Sequence, residues 1–466
     1  MFSDRKKALK LRFSSIFSSK GKESPIFLLD LPNEILERIV YLSQPLDIIV
    51  ALRRVARVFL EENDALLPPS YLDLAMFELE RLTIAPVLTL RHLRAARPDP
   101  EWKDPSNVLW PQAENSMRGY FPSDEVTNIT LVAGGFYLFA QHENYRRNEL
   151  SLLRLPGADE GKRFPVEIAK TSIPQNTHTG RIHDYWFVER SRNVLRVCAL
   201  EIFTVEKRYQ ISVYEVDAAA KHPEFTVLAR TSDFGSIVSP TSKIKHCGED
   251  RISLCDDKVA VLWDFMRDLR VELDIVGPMT GESYVMPHIK VADNRVVYLQ
   301  RHLVAIYVLP TDACGALGPL KPAFQLNLSG QCNVYFPHPA TPQPLVFHVH
   351  NRTWNKIRTY ALSSGMGTPR AVASRSVAKS GLYRSIWGPA PFVACAGAHV
   401  LVRISPMNCR HVHWVDEEEG RKPSAGAVKL MYEDSGGMVD NAEFDPVSGR
   451  MVVVNGSGTL RIFDYI

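Results

Sequence analysis

Three stretches of this 466-residue chain repeat one device: a short apolar run, a tight polar turn and a second apolar run. Arg251-Ile252-Ser253-Leu254-Cys255 turns at Asp256-Asp257 into Val259-Ala260-Val261-Leu262-Trp263-Asp264, and Arg295-Val296-Val297-Tyr298-Leu299 turns near Arg301 into Val304-Ala305-Ile306-Tyr307-Val308. Met451-Val452-Val453-Val454 turns at Gly456-Ser457-Gly458 into Leu460-Arg461-Ile462-Phe463-Asp464. Runs this rich in Val, Ile and aromatics, bounded by turn residues, predict β-hairpins. The second strands of such hairpins centre near Leu153, Tyr214, Trp263, Tyr307, Tyr360, Ile404 and Phe463. Their mean spacing of about 52 residues is the scale of one unit in a radially repeated β fold.

That spacing predicts an all-β propeller of seven blades over residues 105–466. Two longer intervals, Leu153 to Tyr214 and Ile404 to Phe463, leave six or eight blades open. A pair of β-sandwiches would show the same short strands, but regular spacing favours the ring. No L-x-x-L-x-L repeat supports a leucine-rich solenoid. Three of the strands end in an aromatic-acidic pair, Tyr214-Glu215, Trp263-Asp264 and Phe463-Asp464. These resemble the dipeptide that closes a WD-repeat blade, although the Gly-His half of that signature is missing throughout.

The first hundred residues have a different period. Pro32 suits the first position of a helix and Glu34 its first turn, where the helix dipole favours negative charge. Ile35, Leu36, Ile39, Val40 and Leu42 then recur at helical spacing. Pro45 ends that helix. Ile48, Leu52, Val55, Ala56 and Phe59 form a second amphipathic stripe, with Arg53, Arg54 and Arg57 on a solvated face. A third helix is expected around Leu72, Ala75, Met76, Leu79 and Leu82, and a fourth from about Val87 to Arg97. The change to turn-rich sequence after Trp102 marks a boundary, so the expected division is residues 25–104 helical and 105–466 β.

The string Leu31-Pro32-Asn33-Glu34-Ile35-Leu36, followed by Leu52-Arg53-Arg54-Val55-Ala56-Arg57, resembles the opening of an F-box. The resemblance covers roughly residues 28 to 72, about a tenth of the chain. Phe59-Leu60-Glu61-Glu62 stands where that module often carries cysteine or tryptophan. The resemblance implies a small all-α module that docks on the Skp-type adaptor of a cullin–RING ubiquitin ligase. On it, Leu31, Pro32, Ile35, Leu36, Ile39, Leu52 and Val55 would bind the adaptor or brace the helices that do. It further implies a non-catalytic substrate receptor whose propeller holds a protein substrate that the sequence does not identify. The alternative is a propeller enzyme or small-molecule binder with a site in its central funnel, carrying a helical domain of another kind.

Composition sets the outer bounds. At 45% hydrophobic and 23% charged the chain is ordinary globular protein. A formal net charge of +3 gives no warrant for nucleic-acid binding. Residues 1–24 carry Arg5, Lys6, Lys7, Lys10, Arg12, Lys20 and Lys22 against Asp4 and Glu23, and are expected to form a solvated disordered arm. No apolar stretch is long enough to span a membrane, so a soluble cytoplasmic or nuclear protein is expected. The seven cysteines are scattered, without a C-x-x-C pair, and are expected to be reduced and buried, with no zinc site or disulfide framework.

Catalytic signatures are missing: no G-x-S-x-G, H-E-x-x-H, complete G-x-G-x-x-G or P-loop occurs. Gly365-Met366-Gly367 reads as a turn. His246-Cys247 would be a thiol beside a base, except that neighbours on a strand point to opposite faces. His183-Asp184 and the His348/His350 alternation lack a third metal ligand, and core or surface histidines account for them. No cofactor is expected. Trp110, Tyr120, Phe121, Tyr185, Trp186, Phe187 and Trp354 are candidates for a partner-binding surface, most of them expected in the core between blades.

Overall fold

A computed structural model describes the chain from Val108 to Asp464 apart from connecting segments, the longest being 233–242, 276–286 and 377–393. The arm expected over residues 1–24, the helices expected over 25–104 and all seven residues expected to bind an adaptor lie outside the described residues.

Within them the chain forms seven sheets that follow one another in sequence, each built on four antiparallel strands, here a to d. Blade 1 comprises Val126–Leu131, Tyr137–Asn144, Arg147–Arg154 and Val166–Ser172. Blade 2 comprises Thr179–Val188, Ser191–Phe203, Arg208–Asp217 and Thr226–Thr231. In blade 3 the strands are Lys243–Gly248, Arg251–Cys255, Ala260–Asp264 and Leu269–Leu273. Blade 4 has His288–Ala292, Arg295–Gln300, Leu303–Val308 and Phe324–Asn327. Blade 5 has Cys332–Tyr335, Leu345–Asn351, Lys356–Leu362 and Arg370–Ser376. Blade 6 has Ala394–Ala396, His399–Ser405, Asn408–His413 and Ser424–Leu430.

Blade 7 is composite. Its strands a to c are Val439–Asp445, Arg450–Asn455 and Leu460–Asp464, but strand d is Ala113–Met117, drawn from before blade 1 and paired antiparallel with strand c from Ala113↔Asp464 to Met117↔Leu460. The two ends of the β region are thus hydrogen-bonded into one sheet, and strand a of blade 7 lies beside strand a of blade 1. The architecture is a seven-bladed β-propeller, which removes the open sheet edges that a linear array would leave. Three outer edges carry a fifth strand. Ala316–Leu320, an excursion between strands c and d of blade 4, runs parallel to strand d of blade 3; Val415–Asp416 caps blade 5 and Val108–Leu109 caps blade 6.

Strands b and c read as unbroken apolar runs because neighbouring blades bury both of their faces. Ala260–Asp264 and Leu460–Asp464 are buried at every position. The core is therefore a set of slabs between blades. Trp186, Cys198, Ile211 and Val213 of blade 2 meet Ile252, Leu254, Val261 and Trp263 of blade 3. Leu262 and Val271 of blade 3 meet Val296, Tyr298 and Tyr307 of blade 4, and Ile129, Leu138 and Leu153 of blade 1 meet Val452, Leu460 and Ile462 of blade 7.

Six of the seven strand centres expected from sequence fall on strand c of successive blades. Ile404 is the exception: it belongs to strand b of blade 6, and strand c there is Asn408–His413. That strand reads Asn-Cys-Arg-His-Val-His, too polar to stand out as an apolar run. The three hairpins recognised in the sequence are the b–c pairs of blades 3, 4 and 7.

Candidate functional site

Each aromatic-acidic pair faces an arginine across the b–c ladder: Arg196↔Glu215, Arg251↔Asp264 and Arg450↔Asp464. The contacts are charge-assisted, with Arg196 Nε donating to Glu215 Oε2 at 2.8 Å and Arg251 Nε to Asp264 Oδ2 at 3.2 Å. Arg450 donates twice to Asp464, at 2.7 and 3.1 Å. Two of these arginines also reach the a–b turn of the next blade. Arg196 donates to the Asp250 carboxylate and lies 5.5 Å from the Phe265 ring centroid, and Arg450 donates to the Gly135 carbonyl at 2.9 Å. The acidic ends of strand c are thus structural. In two of the three, the arginine so held ties one blade to its neighbour.

The same turns are tied in a second way. The N–H groups of Leu155, Phe265 and Leu309, each just past strand c, donate to the carbonyls of Phe136, Asp250 and Asn294, each just before strand b. This fixes the rim on which the a–b turns sit.

The sequence candidates on strand a of blades 2 and 3 come together as a structural joint. Asp184 Oδ1 accepts from Tyr185 N–H at 3.1 Å and Oδ2 from His246 N–H at 2.8 Å, joining the two innermost strands. The His246 ring stacks on Trp186, with centroids 4.7 Å apart and planes 7° from parallel. Tyr185 Oη donates to the Leu131 carbonyl of blade 1 at 3.2 Å. Cys247 points the other way, into the slab between blades 3 and 4, and burial pushes its thiol up to about 12. His246 and Cys247 therefore face different slabs, and the thiol is held in its unreactive form.

On blade 5, His348 is buried with Nδ1 2.9 Å from Thr359 Oγ1, and no group of three metal-ligating side chains occurs among the described residues. His183 and His350 lie in strands, but their side chains, like that of Phe187, fall outside the described residues, as do Trp110, Tyr120, Phe121 and Trp354 altogether. Of the aromatic candidates, Trp186 is core between blades 2 and 3. Four thiols, Cys198, Cys247, Cys255 and Cys332, are free and buried.

The innermost strands also carry charge that sequence reading did not single out. Strands a of blades 2, 3 and 4 contain Arg181, Lys243, Lys245 and Lys290 with His183, His246 and His288, against one acid, Asp184, whose two oxygens each accept an N–H within the joint. Strands a of blades 1, 5 and 6 contain no charged residue, and that of blade 7 contains Asp440, Glu443 and Asp445. Lys245 is exposed, whereas His288 and Lys290 are partly buried. Burial and then the fields of Lys245 and Lys290 lower His288 to about 4. The signal was present as Lys243-Ile244-Lys245-His246 and His288-Ile289-Lys290, each a basic and apolar alternation just before a hairpin.

No protein-family model matches the chain, and no curated protein matches it significantly. Among solved structures it is similar to the periplasmic gluconolactonase PpgL of Pseudomonas aeruginosa, at 15% identity and a TM-score of 0.36, over 65% of this chain and 85% of that one. It is similar to the C-terminal WD40 domain of Sif2, at 8% identity and a TM-score of 0.36, over 77% and 98% of the two chains. It is also similar to the WD40 domain of SCAP from fission yeast, at 10% identity and a TM-score of 0.32, over 73% and 84%. Likenesses this distant say nothing of ligands, and the architecture stands on the seven sheets themselves.

Proposed function

We propose that the chain is an F-box-type substrate receptor: residues near Leu31–Val55 dock on a Skp-type adaptor, and the propeller holds a protein destined for ubiquitination by a cullin–RING ligase. The observation that carries this reading is the Leu31-Pro32-Asn33-Glu34-Ile35-Leu36 string and its amphipathic sequel, standing ahead of a closed ring of β blades. A propeller suits the second task because its loops vary while inter-blade ties such as Arg196–Asp250 hold them on a rigid frame. On this reading the protein contributes proximity rather than chemistry, raising the local concentration of substrate lysines at the ligase.

Co-purification with a Skp-type adaptor tests it. Wild-type chain is expected to retain the adaptor through gel filtration, and Leu31→Ala with Pro32→Ala to lose it while keeping the unfolding midpoint of the wild type. A folded wild-type protein that ignores the adaptor overturns the reading.

A further inference from the structure

The outer edges of the blades meet solvent in different ways. Leu269–Leu273 of blade 3 lies under Ala316–Leu320 and alternates between buried and half-buried, with Leu320 packed on the slab beyond. Blade 4 has no fifth strand among the described residues, and its strand d meets water with polar side chains: Gln325 and Asn327 are exposed, while Phe324 and Leu326 pack inward. Blade 1 has neither protection among the described residues. Its strand d, Val166–Ser172, is mostly exposed, Val166 to 44%, and Phe164 just ahead of it to 63%. The two charged residues of that strand are drawn onto strand c: Lys170 Nζ stands 2.6 Å from Glu149 Oε2, and Glu167 Oε2 accepts from Ser151 Oγ at 2.9 Å. A lysine left free on a sheet edge discourages pairing with another chain, but this one is engaged.

The chain supplies its own fifth strands by one rule. Each comes from the segment that leads into strand d of the following blade: 309–323 for blade 3, 414–423 for blade 5 and the residues just ahead of Ala113 for blade 6. For blade 1 that segment is 218–225, and it contains turns and no strand. Ala219 N–H donates to Asp217 Oδ1 at 2.9 Å and Ala220 N–H to the Asp217 carbonyl at 3.3 Å, which folds the segment back at its start. Its last residue, Phe225, sets its ring centroid 6.4 Å from those of Phe139 and Tyr214. Held at both ends, it adds no strand to Val166–Ser172. The fifth strands that are present show what such an edge accepts: Ala-Leu-Gly-Pro-Leu, Val-Asp and Val-Leu, all short, extended and nearly uncharged.

We infer that strand d of blade 1 is the docking edge for an extended, apolar segment of a substrate protein, which adds to it as a fifth strand. Main-chain hydrogen bonds along Val166–Ser172 supply the affinity, and contact with Val166 and Phe164 selects β-branched and aliphatic side chains. The inference rests on the receptor reading above for the identity of the partner as a substrate. It narrows the substrate class to proteins that present a terminus or loop free to extend.

Fluorescence anisotropy of a labelled peptide of alternating threonine and valine with terminal lysines, titrated with the full chain, tests it. Saturable binding is expected, weakened about fivefold by Val166→Lys, the worth of one cross-strand contact. The same peptide N-methylated at its central residues keeps its side chains but loses their N–H groups, and is expected not to bind. Val372→Lys, at an equally exposed valine on strand d of blade 5, is the control and is expected to bind like wild type. Hydrogen exchange over Val166–Ser172 is expected to be fast in the free chain and slowed by the peptide. Absence of saturable binding, equal loss in Val372→Lys, or full protection of that strand before peptide is added overturns the docking edge. A wild-type dimer made monomeric by Val166→Lys would put a second copy there and overturn it too. Val166→Lys is expected to retain a Skp-type adaptor, so failure of the edge is read apart from failure of the receptor reading; peptide binding by a chain that ignores the adaptor overturns the assignment to a substrate.

Discussion

Arg450 and Asp464 face each other across the inner hairpin of blade 7 with both nitrogen-to-oxygen contacts made, at 2.7 and 3.1 Å, and the arginine's remaining terminal nitrogen reaches the Gly135 carbonyl of blade 1. Arg450 is 1% exposed. One side chain thus joins the last blade to the first, beside the apolar slab that the two blades share. Removing one partner of a buried pair costs about 3–5 kcal/mol because the other charge is left unpaired. Arg450→Met is therefore expected to lower the unfolding free energy, read from urea titration, by about that amount. Arg450→Lys is expected to recover only part of it, since an ammonium lacks the planar fork. The double variant Arg450→Met with Asp464→Leu is expected to be less destabilised than the sum of the single changes. Additive losses would show that the pair is not coupled.

Gly135 occupies the same seam. Its φ is +72°, and a Cβ there would lie 2.3 Å from Ser448 Oγ and 2.8 Å from Ser448 Cβ. Ser448 cannot retreat, because its hydroxyl donates to Asp445 Oδ2 at 2.6 Å while the same oxygen accepts from Gly134 N–H at 3.0 Å. Gly135→Ala is expected to cost more than the roughly 1 kcal/mol of a left-handed alanine. Adding Ser448→Gly is expected to return part of the loss by removing the clash. Thermal unfolding of the two variants checks this, and equal melting temperatures would contradict it.

Much of the ring was legible because strands b and c are buried on both faces. Leu153, Tyr214, Trp263, Tyr307, Tyr360 and Phe463 all stand on strand c for that reason. Strands a and d each have an edge toward the channel or toward solvent, and their polar residues hid them. Strand a of blade 3, Lys-Ile-Lys-His-Cys-Gly, has no apolar run at all. The acidic ends Glu215, Asp264 and Asp464 were visible, but their arginine partners lie 13 to 19 residues earlier, at a distance that only the hairpin register defines. The joint of Asp184 with His246 was less accessible still, since its 62-residue separation crosses two blades. Strand d of blade 7 comes from the opposite end of the β region, and no periodicity announces it.

The buried thiols lead to a chemical prediction. Burial raises Cys198 and Cys255 well above the usual thiol range and pushes Cys247 up to about 12. At pH 8 a thiol with that value is about one part in ten thousand thiolate, against roughly a quarter for an unperturbed one. Iodoacetamide is expected to leave Cys198, Cys247 and Cys255 unlabelled in native protein over a time that labels all of them in denaturant. Peptide mass spectrometry reads the difference. Native labelling of Cys247 at the denatured rate would contradict the placement of its side chain in the slab between blades 3 and 4.

His288 sets the expected response to acid. In the unfolded chain it gains a proton near pH 6.5, whereas in the folded protein burial and the fields of Lys245 and Lys290 delay this to about pH 4. Between those values the unfolded state binds the extra proton, so stability is fully present above pH 6.5 and declines as pH falls toward 4. A partly exposed group contributes no more than about 3 kcal/mol across the window. His288→Gln is expected to flatten that part of the profile, and Lys245→Gln, by removing one repelling charge, to move its lower end up in pH. Urea midpoints measured at half-unit steps from pH 7.5 to 4 resolve both effects. A wild-type profile that is unchanged by His288→Gln would place the acid sensitivity on other groups.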